Sequence, residues 1–206
     1  MRGLVPGLGN WSNPGEASGE DSRLLREARD GCTRAFGSLV RRHQDAIFGL
    51  VSRMVRDHAV AEELTQDVFL KAFRKLDAFR GDAKFSTWLY RIAVNVCHDY
   101  RASVTARIRR EEMSLEAGSV KVMALPAPGA RPDDQTIARE MAGAFQACLD
   151  RLNEPYRGAF VLRHQQGLGY DEIASVLGIS RSNAKVRVHR AREMILGHLR
   201  RMGHDV

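Results

Sequence analysis

Apolar positions set the rhythm of two long stretches of this chain. From Ser22 to about Arg101, Phe36, Leu39 and Val40, then Ile47, Leu50, Val51 and Met54, recur at spacings of three and four, the period of a helix with one buried stripe. The same period returns from Ile137 to about Met202, where Met141, Phe145, Cys148 and Leu149 form the first stripe. Alternation at period two is nowhere sustained, so no sheet is expected. The pattern predicts an all-α protein of two small helical domains, residues 22–103 and 137–203. Between them the rhythm breaks, most clearly in ALPAPGARPDD, and residues 104–136 read as a flexible linker with a short helix around 107–115. Residues 1–21, rich in Gly, Ser, Asn and Pro, hold too little apolar surface to offset the entropy of ordering and read as a disordered tail.

Local signals place a helix-turn-helix in the second domain. Asn153 before Glu154 and Pro155 is a helix start, and Gly167 is expected to end that helix. In YDEIASVLG, Asp171 and Glu172 fall in the first turn, against the positive end of the helix dipole, while Ile173, Ala174 and Leu177 face inward. Gly178 supplies a left-handed turn and Ser180 caps a third helix. In that helix Ala184, Val188, Ala191 and Ile195 share the inner stripe. Arg181, Ser182, Lys185 and Arg187, flanked by Asn183 and Arg190, lie opposite, a set suited to guanine edges, phosphates and adenine in a major groove. A basic helix alone is more often a solvated face; the capped helix and glycine turn before it favour DNA reading.

The first domain carries two further features. In AEELTQDVFLKAFRKLDAF, Leu64, Val68, Phe69, Ala72, Phe73 and Leu76 turn broadly inward and leave Leu70 outside, beside Glu63, Gln66 and Asp67. Such a leucine is either a protein-contact patch or one of the single exposed leucines common on any surface. In FRGDAKFSTWLYRIAVNVCHDYR, a charged loop with one glycine precedes a helix starting near Phe85. Trp88, Leu89, Ile92 and Val96 pack inward, and Thr87, Arg91, Asn95, His98 and Arg101 form a polar, cationic stripe. Aromatic rings among cations suit unstacked bases; the same rings also suit a core.

Charge narrows the partners. Lys and Arg number 32 against 25 Asp and Glu, a net +7 with pI near 9.8, which favours polyanions. Residues 22–103 sum to +5, those from Ile137 onward to +4, the linker to zero and the tail to −2, so the excess sits on the two helical domains. Cys32, Cys97 and Cys148 are scattered, with no zinc-ligand spacing, so no disulfide framework, metal or cofactor is expected, and a reduced cytoplasmic setting fits. Cys97 and His98 are adjacent but point about 100 degrees apart on a helix. Neither a secretion leader nor a membrane span is expected. An enzyme acting on nucleic acid is the weakest reading: the 7 histidines are scattered, no acidic pair has metal spacing, and no nucleophile has an evident base. Nor is there a Walker-type glycine and lysine loop.

Taken together, AEELTQDVFLKAFRKLDAFRGDAKFSTWLYRIAVNVCHDYR and EPYRGAFVLRHQQGLGYDEIASVLGISRSNAKVRVHRAR resemble the two signature blocks of a bacterial sigma factor, and more narrowly the small extracytoplasmic-function branch. The resemblance spans almost everything from Ser22 to Met202. It implies a non-enzymatic initiation factor that binds core RNA polymerase, directs it to promoters and helps open the minus-ten region. Glu63, Gln66, Asp67, Leu70 and Phe73 correspond to the helix that docks on the polymerase clamp helices. Arg80, Lys84, Phe85, Ser86, Trp88, Arg91, Asn95 and Arg101 correspond to the part that recognises the minus-ten element and holds a flipped non-template base. Arg181, Ser182, Asn183, Lys185, Val186, Arg187 and Arg190 match the helix that reads the minus-thirty-five duplex. The linker would pass near the RNA exit path, and an anti-sigma partner is implied. Phe73 stands where Trp is frequent, Gly169 where Ser or Thr caps, and Asn183 and Val186 where Thr and Ser are frequent; the last two mean that the resemblance does not fix the minus-thirty-five sequence. The rival reading is a stand-alone helix-turn-helix regulator, which leaves FRGDAKFSTWLYRIAVN without a role.

Overall fold

The computed structural model describes residues 17–55, 57–115 and 134–202, with side chains described outside 17–18 and 111–142. The helices are α1 (Ala17–Arg29), α2 (Thr33–Met54), α3 (His58–Arg74), α4 (Phe85–Leu115), α5 (Asp134–Arg151), α6 (Glu154–His164), α7 (Tyr170–Leu177) and α8 (Arg181–Arg201), with a 3-10 turn at Leu76–Ala78. Among the described residues there is no strand, as the period predicts.

In the first half, α2 packs against α1, α3 and α4, and α3 also lies along α4. Leu39, Leu50, Val51, Val68, Leu89 and Ala93 are fully enclosed, most of them on the stripes that the spacing marks. In the second half α8 packs on α5, α6 and α7 around Leu149, Leu162, Ile173, Ala184 and Ala191. The two halves also touch, α6 on α2 and α7 on α4, and their buried side chains form one continuous cluster.

Several local expectations are corrected. The first helix begins at Ala17, not at Ser22, because Asp21 is buried: its carboxylate accepts from Arg42 Nε at 3.0 Å and meets His43 Nε2 at 2.9 Å. Residues 104–115 do not form a separate short helix after a break; α4 runs through them without interruption, since Ala102, Ala106 and the arginines around them all tolerate a helix. The second half starts at Asp134, ahead of Ile137. Phe73, expected broadly inward, is half-exposed with its edge on the Phe36 ring. Thr87, expected on the polar stripe of α4, is buried. Asn153 stands at the start of α6 but makes no side-chain cap. The proline-rich stretch, most of the tail and the side chain of Met141 lie outside the described residues.

Two features fix the frame around the functional surfaces. Arg29 of α1 donates to the carbonyls of Leu76 and Phe79, which pins the root of the charged loop before α4. Arg157 of α6, only 3% exposed, donates to the carbonyls of Leu149, Asp150 and Leu152 and, across the halves, to Met54 at the end of α2. Helix ends leave such carbonyls without internal partners, so one buried guanidinium satisfies two helix ends at once.

Candidate nucleic-acid and polymerase interfaces

On α3 the start is set by Asp57, whose carboxylate accepts from the N–H groups of Ala59 and Val60 at 2.8 and 3.2 Å. Ala61, Leu64, Val68, Phe69 and Ala72 then turn inward. Glu63, Gln66 and Asp67 are exposed on the other side, with Leu70 and Phe73, three residues apart, 52% and 47% exposed. The two large apolar side chains form a small patch edged by acids.

The loop between the 3-10 turn and α4 turns at Gly81, whose φ of 84° favours glycine. Behind it Phe79, Phe85 and Trp88 form a trio with ring centroids 5.2–5.6 Å apart. Phe79 and Phe85 are both buried, Phe85 against the ring of His43, so Phe85 supports the surface and does not offer a face to a base. Trp88 is half-exposed, while Arg80, Lys84, Arg91 and Asn95 are exposed and Ser86 and Arg101 half-buried. A cavity of about 270 Å³ opens here, lined by Ala78, Phe79, Arg80, Gly81, Asp82, Ala83, Thr87, Trp88 and Arg91, and by Ser175 from α7, so that two arginines face it with one aspartate. An indole wall beside guanidinium groups offers what a single-stranded base and its phosphate require. Lys84 is engaged by Glu172 Oε1 at 3.2 Å.

The last two helices have helix-turn-helix form. Gly178 ends α7 at φ 64°, in the left-handed region, and the Ser180 hydroxyl accepts from the Asn183 N–H at 3.2 Å to start α8. Glu172 also closes the start of α7, accepting from the Gly169 N–H at 2.9 Å, which compensates for the missing Ser or Thr cap. Ala184, Val188, Ala191 and Ile195 are buried, as their stripe predicts. Arg181, Ser182, Asn183, Lys185, Val186 and Arg190 are exposed and Arg187 is half-buried. Asn183 Oδ1 accepts from Arg187 Nε at 3.1 Å, which orients the guanidinium and leaves its outer nitrogens for a guanine edge. Val186, 46% exposed, presents methyl groups suited to thymine.

Residues that the sequence reading did not single out, Gln166 and Ser175, gather where the halves meet, with Tyr90 marked in sequence only as a possible core aromatic and Glu172 only as a first-turn acid. Burial, with Glu172 nearby, pushes the Tyr90 hydroxyl up to about 12, so it remains a hydrogen-bond donor. Burial likewise pushes the Cys97 thiol up to about 12, which leaves it unreactive at neutral pH. Among the described residues no group of three His, Cys, Asp or Glu could hold a metal ion, and no helix is long and apolar enough to cross a membrane.

Residues 39–107 match the family model of Sigma-70 region 2, and residues 142–195 that of Sigma-70 region 4. The chain belongs to the sigma-70 family of factors that direct RNA polymerase to promoters and initiate transcription. It is similar to the ECF RNA polymerase sigma-E factor of Escherichia coli, 35% identical over 176 residues that cover 85% of this chain and 92% of that one. The RNA polymerase sigma-H factor of Pseudomonas aeruginosa is 32% identical over 181 residues, with the same coverage. Within the family, the chain falls in the ECF branch. Its fold resembles CnrH, solved in complex with the cytosolic domain of CnrY, with a TM-score of 0.63, 27% identity and coverage of 87% of this chain and 97% of that one. It also resembles the sigma factor RpoE of Bartonella quintana, solved with the anti-sigma factor NepR, with a TM-score of 0.58, 25% identity and coverage of 80% and 96%.

Proposed function

We infer that three surfaces divide the work of this initiation factor. The Leu70–Phe73 patch with Glu63, Gln66 and Asp67 docks on the polymerase clamp helices. The Trp88 cavity, with Arg80, Lys84, Ser86, Arg91, Asn95 and Arg101, takes an extruded base of the minus-ten non-template strand, with Phe85 as its buried support. The outer face of α8, Arg181 to Arg190, reads the minus-thirty-five duplex. Residues 22–103 and 137–203 serve as the two domains, with α4 reaching beyond the first and 104–136 passing near the RNA exit path. The observation that carries this reading is the separation of three chemistries on one scaffold: an exposed apolar pair ringed by acids, an indole-lined cationic cavity, and a capped basic helix over an apolar stripe.

Opening a promoter costs on the order of a few kcal/mol for each extruded base, and stacking with phosphate contacts must recover it. No nucleotide hydrolysis is required, and the chain supplies binding without a catalytic site of its own. It works in the cytoplasm, with core polymerase and promoter DNA. The complexes of CnrH with CnrY and of RpoE with NepR support an anti-sigma factor as a further partner.

The double variant Asp67→Ala, Leu70→Asp tests the division. Affinity for core polymerase, measured by fluorescence titration, should fall at least about tenfold, since a buried apolar contact is replaced by an unpaired charge. Binding to a minus-thirty-five duplex should persist. Parallel losses in both assays would count against separate surfaces.

A further inference from the structure

The charged loop that carries Arg80 and Lys84 runs from Phe79 to Phe85, and both of these rings are tied to α1. Arg29, in the last turn of α1, donates to the carbonyls of Leu76 and Phe79 and holds its guanidinium 5.8 Å from the centroid of the Phe79 ring. Earlier on the same helix, the Asp21 carboxylate accepts from Arg42 Nε at 3.0 Å and stands 2.9 Å from His43 Nε2. The His43 ring in turn meets Phe85 edge to face, with centroids 5.4 Å apart. Asp21 and Arg29 are about 12 Å apart along the helix, at its rise per residue, so one rigid element reaches both ends of the loop. Leu24, Leu25 and Ala28 between them are buried and fix α1 on the core. Trp88, one turn past Phe85, lies against both rings, with centroids 5.2 Å from Phe79 and 5.6 Å from Phe85. A shift of either ring is therefore a shift of the indole. The whole of α1 stands ahead of residue 39, where the match to Sigma-70 region 2 begins.

We propose that α1 positions the minus-ten pocket, with Arg29 and Asp21, the second acting through His43, as positioning residues that hold Phe79 and Phe85, and with them the Trp88 indole, in place to receive an extruded base. This role rests on the assignment of the Trp88 cavity to minus-ten DNA. A stacking wall offsets the cost of extruding a base most fully when it is already ordered, because ordering it on binding draws on the same free energy. Residues 80–84, between the two rings, are all exposed, so that order has to come from the ends of the loop. Arginine suits the Phe79 end: its planar fork bonds two carbonyls while its face lies near a ring, which the point charge of a lysine does not reproduce. At the Phe85 end Asp21 is buried, and loss of either partner would leave its charge under-compensated, so His43 is held in one arrangement. Both ties act on the pocket and touch neither the Leu70 patch nor α8.

Holoenzyme assembled from core RNA polymerase and full-length variants tests this. The probes are fluorescein-labelled single-stranded oligonucleotides copied from the non-template minus-ten strand of one of the protein's own promoters, intact or with an abasic site at each position in turn. For wild type, removal of one particular base should weaken binding by anisotropy at least about fivefold, as the loss of one stacked base requires, and Trp88→Ala should reduce that ratio below about twofold. The double variant Arg29→Met, His43→Phe keeps the apolar stem and the ring but cuts both ties. Its ratio should also fall below about twofold, while affinity for core polymerase and for a minus-thirty-five duplex stays within about twofold of wild type. Arg29→Lys, which keeps a donor and the charge, should retain more of the ratio than Arg29→Met alone. Both oligonucleotides meet the same preparation, so a partly unfolded variant lowers the two affinities together and leaves their ratio unchanged. Arg26→Met removes an exposed charge from the same helix and should leave the ratio as in wild type. An unchanged ratio in the double variant, with Trp88→Ala still abolishing it, would show that the ties only stabilise the fold and would overturn the proposal while the minus-ten assignment stands. Equal loss of the ratio in Arg26→Met, or a parallel loss of core affinity in the double variant, would overturn it as well. No position-dependent loss in wild type, or one that Trp88→Ala leaves intact, would overturn the assignment of the cavity and this role with it.

Discussion

Asp21 shows how one polar side chain extends a domain beyond its apolar pattern. Burial opposes ionisation of its carboxyl, but the hydrogen bond and charge of His43, together with Arg42, outweigh burial and hold it below the ordinary value of 3.8. A carboxyl with a depressed folded value stabilises the fold above the unfolded value and loses that contribution as pH falls through the folded one. Asp21→Asn should therefore destabilise the protein at pH 7 by about 1–3 kcal/mol in urea unfolding, and the gap to wild type should close below pH 3.8. A gap that stays constant with pH would mean that Asp21 acts by packing alone. The place of Asp21 is not legible in sequence, because its partners lie 21 and 22 residues away and charge carries no period. Arg157 is hidden for the same reason: nothing around it in the chain says that its guanidinium meets the carbonyl of Met54.

At the scale of elements the sequence is far more informative. The stripe Ala184, Val188, Ala191 and Ile195, the glycine at 178 and the cap at Ser180 all sit where spacing puts them, because helix period and local capping are short-range physics. The length of α4 is less legible. Nothing stops a helix between Arg101 and Leu115, so a drop in apolar content marks the end of the core and not the end of the helix. The aromatic loop-helix is legible only in part: sequence identifies Phe85 and Trp88 together, and packing makes the first a support and leaves the second half-exposed. For α8 the outward face leads to a measurable expectation. Arg187→Ala should weaken binding to the minus-thirty-five duplex, and the slope of log affinity against log salt should become shallower by about 0.9, one phosphate-equivalent of released counterion. An unchanged slope with weakened binding would place Arg187 on a base edge without a phosphate; unchanged binding would remove it from the interface.

At the scale of the whole molecule, the sequence divides the chain into two helical units and marks a face on each, but it is silent on their contact. Gln166, Glu172 and Tyr90 join the halves through single polar bonds that leave no signature along the chain. Those bonds set α7 beside the Trp88 cavity, whose rim includes Ser175. The central claim is that two separate DNA surfaces work together and only with polymerase. The most direct test is in-vitro transcription of a promoter library by core RNA polymerase, with and without this protein, followed by sequencing of the transcripts. The account predicts transcripts only when both are present, from promoters that share two short elements at a constant spacing, the downstream one read as a single strand. Enrichment of one duplex element alone, bound equally well without core polymerase, would contradict it and favour a stand-alone helix-turn-helix regulator.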